Sequence, residues 1–105
     1  MSEANFELRF EWDEYKSILN EQEHGFPLDE SRDAFYDPYA LLKANAYRVR
    51  GEDRHILVGK SKKHGLLFVV HIEVEIDLIR LISARKAEPI EVEEYNKNIA
   101  KHLKQ

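Results

Sequence analysis

Residues 54–85 read RHILVGKSKKHGLLFVVHIEVEIDLIRLISAR, and this stretch decides the fold. It contains three β-rich runs, 54–60, 66–72 and 76–84, dense in Ile, Val and Leu. Ser61-Lys62-Lys63-His64-Gly65 and Glu73-Val74-Glu75 supply the turns between them. Connections this short predict an antiparallel meander. Residues 66–70 are apolar at every position, as a central strand covered on both faces would be.

Upstream, Phe6, Leu8, Phe10 and Trp12 alternate with Glu7, Arg9 and Glu11, the period of a half-buried strand. Asp13 is placed to cap a helix reaching about Glu23, with Tyr15, Ile18, Leu19 and Gln22 along one side and Gly25 just past its end. Asp29 is an N-cap candidate for a short helix carrying Ala34 and Phe35, which Asp37-Pro38 breaks. In residues 39–47, Tyr39, Leu41 and Leu42 suit an edge strand, while 43–46 read as loop. Downstream, Pro89 opens a helix whose stripe is Val92, Tyr95, Ile99 and Leu103. Its Glu residues come early and its Lys residues late, matching the helix dipole. The expected order is β-α-α-(β)-β-β-β-α. This is one α+β domain over residues 1–105, with a small antiparallel sheet flanked by two N-terminal helices and one C-terminal helix.

The 105 residues contain no Cys, which excludes disulfides, thiolate metal sites and Cys nucleophiles. Residues 1–10 lack a secretory signal, and the longest apolar run falls far short of the ~20 residues of a membrane helix. A cytoplasmic protein is expected. The net charge of -4 hides an uneven distribution. Residues 54–86 carry 7 Lys/Arg against 3 Asp/Glu, whereas residues 1–53 carry 6 against 13. Such a basic island fits an anionic ligand, and it equally fits a sheet edge protected by solvated cations.

Arg80 interrupts the apolar run Leu78-Ile79-Arg80-Leu81-Ile82, so it must pair, reach solvent or bind an anion. Its nearest carboxylates in the expected hairpin are Glu73 and Glu75. Arg85 follows, and two guanidiniums can grip a phosphate bidentately. Strict strand parity puts Arg80 and Arg85 on opposite faces, so a shared site requires a bulge or a strand end near Ser83. Glu52 beside Arg54 is either a surface ion pair or a general base next to a phosphate-binding cation. His71 in the central strand is either a core imidazole or a catalytic base. Trp12 is either core or a stacking platform for an RNA base. The five His residues show no metal-site spacing, His24 suits a helix C-terminus, and no Gly-rich phosphate loop is present.

Taken together, the chain resembles the BrnT family of RelE-like ribonuclease toxins. The resemblance rests on Phe10-Glu11-Trp12-Asp13 with Lys16, Asn20, His24-Gly25 and Phe35-Tyr36-Asp37-Pro38. It continues through Glu52 and Arg54, Val58-Gly59, Val70-His71 and Arg80-Leu81-Ile82-Ser83-Ala84-Arg85, with Ala87, Glu91 and Tyr95 beyond. It implies metal-independent, cofactor-free mRNA cleavage by attack of a ribose 2′-hydroxyl. It also implies neutralisation by a BrnA-like antitoxin in a dimer or heterotetramer, with DNA contacted only through that antitoxin. Arg80 and Arg85 match the family's arginines and are the expected catalytic cations, with Glu52 and His71 as proton carriers. Arg54, Lys16 and Lys60 are the expected phosphate contacts, and Trp12 the stacking residue. Glu23 stands where relatives carry Lys or Arg before the His-Gly pair. The last helix also begins with Glu88 and Glu91, and both departures weaken attraction to RNA. The alternative reading is a non-catalytic RelE-like module that docks an antitoxin or co-repressor.

Overall fold

The computed structural model describes residues 7–104; Phe6, placed by its periodicity in the first strand, lies outside them. The chain runs β1 (Arg9–Trp12), α1 (Glu14–His24), a 3-10 helix (Leu28–Tyr36), β2 (Leu41–Val49), β3 (Glu52–Ser61), β4 (Gly65–Glu75), β5 (Leu78–Lys86) and α2 (Pro89–Leu103). The strands form one sheet in the order β1-β5-β4-β3-β2. The meander β2 to β5 is antiparallel throughout and β4 is central, as its unbroken apolar run requires. Among the described residues, no helix is long and apolar enough to cross a membrane.

Three expectations need correction. The sheet is mixed rather than antiparallel, because β1 lies parallel to β5 with Glu11 opposite Arg80. No hairpin ties these two strands; α1, the 3-10 helix and the whole meander separate them, so no turn sets their direction. The last hairpin turns at Ile76-Asp77, not at Glu73-Val74-Glu75, which continue β4 as its exposed end. Asp77 holds that turn: its carbonyl accepts from Arg9 N–H at 2.7 Å, and its carboxylate takes two bonds from the Arg9 guanidinium. Finally, residues 43–46 belong to β2 instead of a loop, although pairing is irregular between Lys43 and Tyr47. Asn45 adopts φ 52 there, and its N–H donates to His55 Nδ1.

Helix α1 begins as expected, with Asp13 accepting from Tyr15 N–H, and ends at Gly25 with φ 91, which glycine adopts without penalty. Its buried side is not the apolar one. Tyr15 and Ile18 are exposed, while Ser17 and Asn20 are buried. Ser17 Oγ accepts from Leu28 N–H; Asn20 donates to the Phe26 carbonyl and accepts from Ala84 N–H. These bonds satisfy backbone groups of the segment after the helix and of β5, which would be costly to bury unpaired.

The main core lies between one sheet face and the 3-10 helix, with Leu57, Leu67, Val69, Ile79, Leu81 and Ala84 meeting Phe26, Leu28 and Ala34. Gly59 lets the 3-10 helix approach: a Cβ there would lie 2.4 Å from the Ala34 carbonyl oxygen. The opposite face buries Val58, Val70 and Ile72, and α2 crosses part of it with Tyr95 inward.

Asp37 ties three elements together. Its carboxylate accepts from Tyr39 N–H at 2.9 Å, Lys60 N–H at 2.7 Å and the Tyr95 hydroxyl at 2.6 Å. Burial alone would raise its pKa, but these three donors together hold it below the ordinary 3.8. The same carboxylate and burial push Tyr95 the other way, above the usual tyrosine range.

Two outcomes follow from this packing. Gly59→Ala should destabilise the fold by about 1–3 kcal/mol, because backbone rather than a movable side chain meets the new methyl; urea unfolding measures it. For Asp37, the folded pKa is depressed, so its contribution is present above the unfolded value and is lost as pH falls through the folded one. Wild-type stability should therefore drop as pH falls below about 4. Asp37→Asn, less stable at neutral pH by roughly 1–2 kcal/mol, should show a shallower drop over the same window.

Candidate active site

Strand β5 sets the site. Val70 pairs with Ser83 and His71 with Leu81, so Ile82 is an extra residue without a partner, a β-bulge. Ile79 and Leu81 before it and Ala84 after it all face the main core. Arg80 and Arg85 therefore share the opposite face despite their odd spacing. The four register steps between them still separate their Cα atoms by roughly 13 Å, so they serve two different groups.

Arg80 joins a row of charges across the open end of this face. Its Nε donates to Glu11 Oε2 at 2.6 Å, and its Nη1 lies 4.0 Å from Glu52 Oε2. The other oxygen of Glu52 lies 3.5 Å from Arg54 Nη2. The row thus runs Glu11, Arg80, Glu52, Arg54, drawn from β1, β5 and β3. Arg54 is 14% exposed, and its Nε is buried without a hydrogen-bond partner among the described residues. The expected pairing of Arg80 with Glu73 or Glu75 does not form, since both extend into the exposed end of β4 and the parallel neighbour β1 delivers Glu11 instead.

A shallow depression flanks each end of the row. One, of about 570 Å³, is lined by Glu11, Trp12, Asp13, Lys16 and Arg80 with Leu81 and Ile82. The other, of about 430 Å³, is lined by Val49, Arg50, Glu52 and Arg54. Trp12 packs against the main core and also forms part of the first wall. Arg50 was not legible as a site residue; it sits at φ 51 in the Arg50-Gly51 turn that returns β2 into β3. Glu11 was also missed, because only the parallel pairing of β1 brings it to Arg80.

The remaining expected residues lie elsewhere. Arg85 is clamped by α2: its Nη1 and Nη2 donate to the two Glu91 oxygens at 2.9 and 2.8 Å, and its Cζ sits 3.9 Å over the Phe68 ring. The bond to Glu91 raises its pKa further, and Glu91 is correspondingly held below the usual carboxylate range. Glu91 Oε1 also accepts from Glu88 N–H, closing the capping box of α2. His71 faces the core side, 3% exposed, with its ring 4.8 Å from Phe35. Burial lowers its pKa to about 4, so it is neutral and turned away from Arg80. Lys60 lies six residues along β3 from Arg54, roughly 20 Å away, beside Asp37.

The chain can be compared with known proteins on this basis. A family model described as "Ribonuclease toxin, BrnT, of type II toxin-antitoxin system" matches residues 12–91. That span includes Trp12, Lys16, Glu52, Arg54, Arg80 and Arg85. The fold is similar to the crystal structure of the Brucella abortus ribonuclease toxin BrnT, with a TM-score of 0.57 and 21% identity. The similarity covers 77% of this chain and 97% of that one. No curated relative matches the chain. On the family match over most of its length, the chain belongs to the BrnT family of ribonuclease toxins of type II toxin–antitoxin systems.

Proposed function

We propose that this chain is a metal-independent endoribonuclease that cleaves mRNA and is held inactive by a BrnA-like antitoxin. The observation that carries the reading is the row of Arg80, Glu52 and Arg54 on an open sheet face, with a depression at each end. Two arginines joined by one carboxylate supply what 2′-hydroxyl attack demands. Glu52 removes the 2′-hydroxyl proton, and the oxygen attacks the adjacent phosphorus. Arg80 and Arg54 stabilise the charge on the phosphorane oxygens. The bond to the 5′-oxygen breaks, that oxygen takes a proton from water at this half-exposed surface, and the hydroxide left takes the proton held by Glu52, which restores the carboxylate. The products are a 2′,3′-cyclic phosphate and a free 5′-hydroxyl.

Lys16 and Arg50 extend the positive track beyond the row, and Trp12, which lines the same depression as Arg80, is the stacking residue for a neighbouring base. Arg85 contributes through the sheet, by anchoring α2, and only at long range to RNA. His71 serves the core. The antitoxin silences the enzyme by covering this face, and any contact of the complex with DNA belongs to the antitoxin. A second reading, a non-catalytic docking module, is favoured by the carboxylate partners of Arg80 and Arg85, which leave neither arginine wholly free.

The assay that separates the two is RNA cleavage by purified protein at low salt in the presence of a chelator. Wild type should cut, and Arg80→Ala should cut at least about 100-fold more slowly at an unchanged unfolding midpoint. Arg85→Ala should instead lose about 2 kcal/mol of stability, because Glu91 is left buried without its partner. Intact RNA with wild-type protein, and no growth arrest on expression without the antitoxin, would favour the docking module.

A further inference from the structure

Arg80 has one engaged edge and one open edge. Nε is held by Glu11 at 2.6 Å, whereas Nη1 and Nη2 make no hydrogen bond among the described residues, and Nη1 approaches Glu52 only to 4.0 Å. A guanidinium is planar, so a bond at Nε fixes the plane in which the two terminal nitrogens lie. The bond does not arise from a flexible encounter. Glu11 stands directly opposite Arg80 in the parallel pairing of β1 and β5, flanked by Phe10 and Trp12, which lock β1 into the core.

We infer that Glu11 is the positioning residue for Arg80: it holds Nε and presents the Nη1–Nη2 edge to the phosphate of a bound RNA strand. This inference rests on the ribonuclease reading. A carboxylate in this place has two opposed effects. It weakens ground-state attraction for a polyanion, since it cancels charge beside the phosphate. It also keeps Arg80 from rotating out of the geometry in which it meets the transition state. The two effects appear in different kinetic constants. Loss of the first lowers KM, and loss of the second lowers kcat.

The test compares Glu11→Ala and Glu11→Gln on an RNA oligonucleotide with a single cleavable linkage. Gln keeps an oxygen that accepts from Nε and removes the charge. Glu11→Ala should lose about 10- to 100-fold in kcat while KM stays level or falls, and Glu11→Gln should retain most of kcat. In an Arg80→Ala background, Glu11→Ala should have no further effect. Both side chains are about two-fifths exposed, at 42% and 39%, so unfolding midpoints should stay at the wild-type value. Wild-type kcat in Glu11→Ala, or equal losses in both variants, overturns the inference. Faster cleavage by both variants would make Glu11 a competitor of the phosphate and overturns it too. A second readout is independent of activity: the Arg80 Nε–H resonance should exchange slowly with water in wild type and Glu11→Gln, and rapidly in Glu11→Ala. If wild type leaves RNA intact, the ribonuclease reading fails by itself. The resonance then decides the role of Glu11, and slow exchange persisting in Glu11→Ala refutes it.

Discussion

Strand β5 must satisfy two demands that a regular strand cannot meet together. Ile79, Leu81 and Ala84 go into the core, and Arg80 and Arg85 must both stay out of it. The extra residue at Ile82 reconciles them, by shifting the alternation of side chains by one step. Separately, β1 ends at Trp12, opposite Leu81, so β5 past the bulge has β4 on one side and no strand on the other. Asn20 of α1 fills the vacancy by accepting from the buried Ala84 N–H, while its amide holds the Phe26 carbonyl. A buried polar residue on α1 thus stands in for the strand that β1 does not extend to supply. The exposure of Tyr15 and Ile18 follows, because the helix turns its polar side inward to serve the backbone.

How much of this was legible follows from which signals were local. The meander was, because three apolar runs with short polar connections admit little else. The helix ends at Asp13, Gly25 and Pro89 were too, because capping is decided within one turn of chain. From their spacing, Arg80 and Arg85 could share a site only with a bulge or a strand end near Ser83; a bulge at Ile82 puts them on one face. The parallel placement of β1 was not legible. Alternation of Phe10, Glu11 and Trp12 reports which side chains go inward, but it carries nothing about a partner strand some 70 residues away. Glu11 therefore stayed unnoticed, and Glu73 and Glu75 looked like the partners of Arg80. His71 shows the reverse case: its place in the apolar central strand was evident, but only the register with His55 shows which face it occupies.

The acidic balance of the chain takes on physical meaning at the site. Neighbouring cations repel one another, and three arginines of this sheet face are held by carboxylates: Arg80 by Glu11, Arg54 by Glu52, Arg85 by Glu91. At the half-exposed Arg80–Glu11 pair such a contact contributes little to stability, about 0–1 kcal/mol. It contributes geometry, because it limits the orientations a long side chain samples. The cost falls on attraction to RNA, which declines with each phosphate contact that a neighbouring carboxylate offsets.

Degree of burial separates the two arginines that looked equivalent in the sequence. Arg85 and Glu91 are 29% and 10% exposed and joined by two bonds, with an aromatic ring beneath the guanidinium. Breaking that contact exposes a desolvated carboxylate to its full penalty, so phosphate cannot displace Glu91 cheaply. Arg80 and Glu11 are 42% and 39% exposed and joined through Nε alone, so the remaining donors can take a phosphate without any exchange of partners. Arg54 lies between these extremes: it is as enclosed as a structural arginine, yet its partner Glu52 is 3.5 Å away and its Nε has no hydrogen-bond partner among the described residues. A buried cation with spare donors is unfavourable until an anion arrives, and Arg80 presents its own open edge on the same face. The parallel strand β1 therefore does more than complete the sheet edge. By supplying Glu11 to the inner edge of Arg80, it leaves the outer edge, like Nε of Arg54, without a hydrogen-bond partner among the described residues.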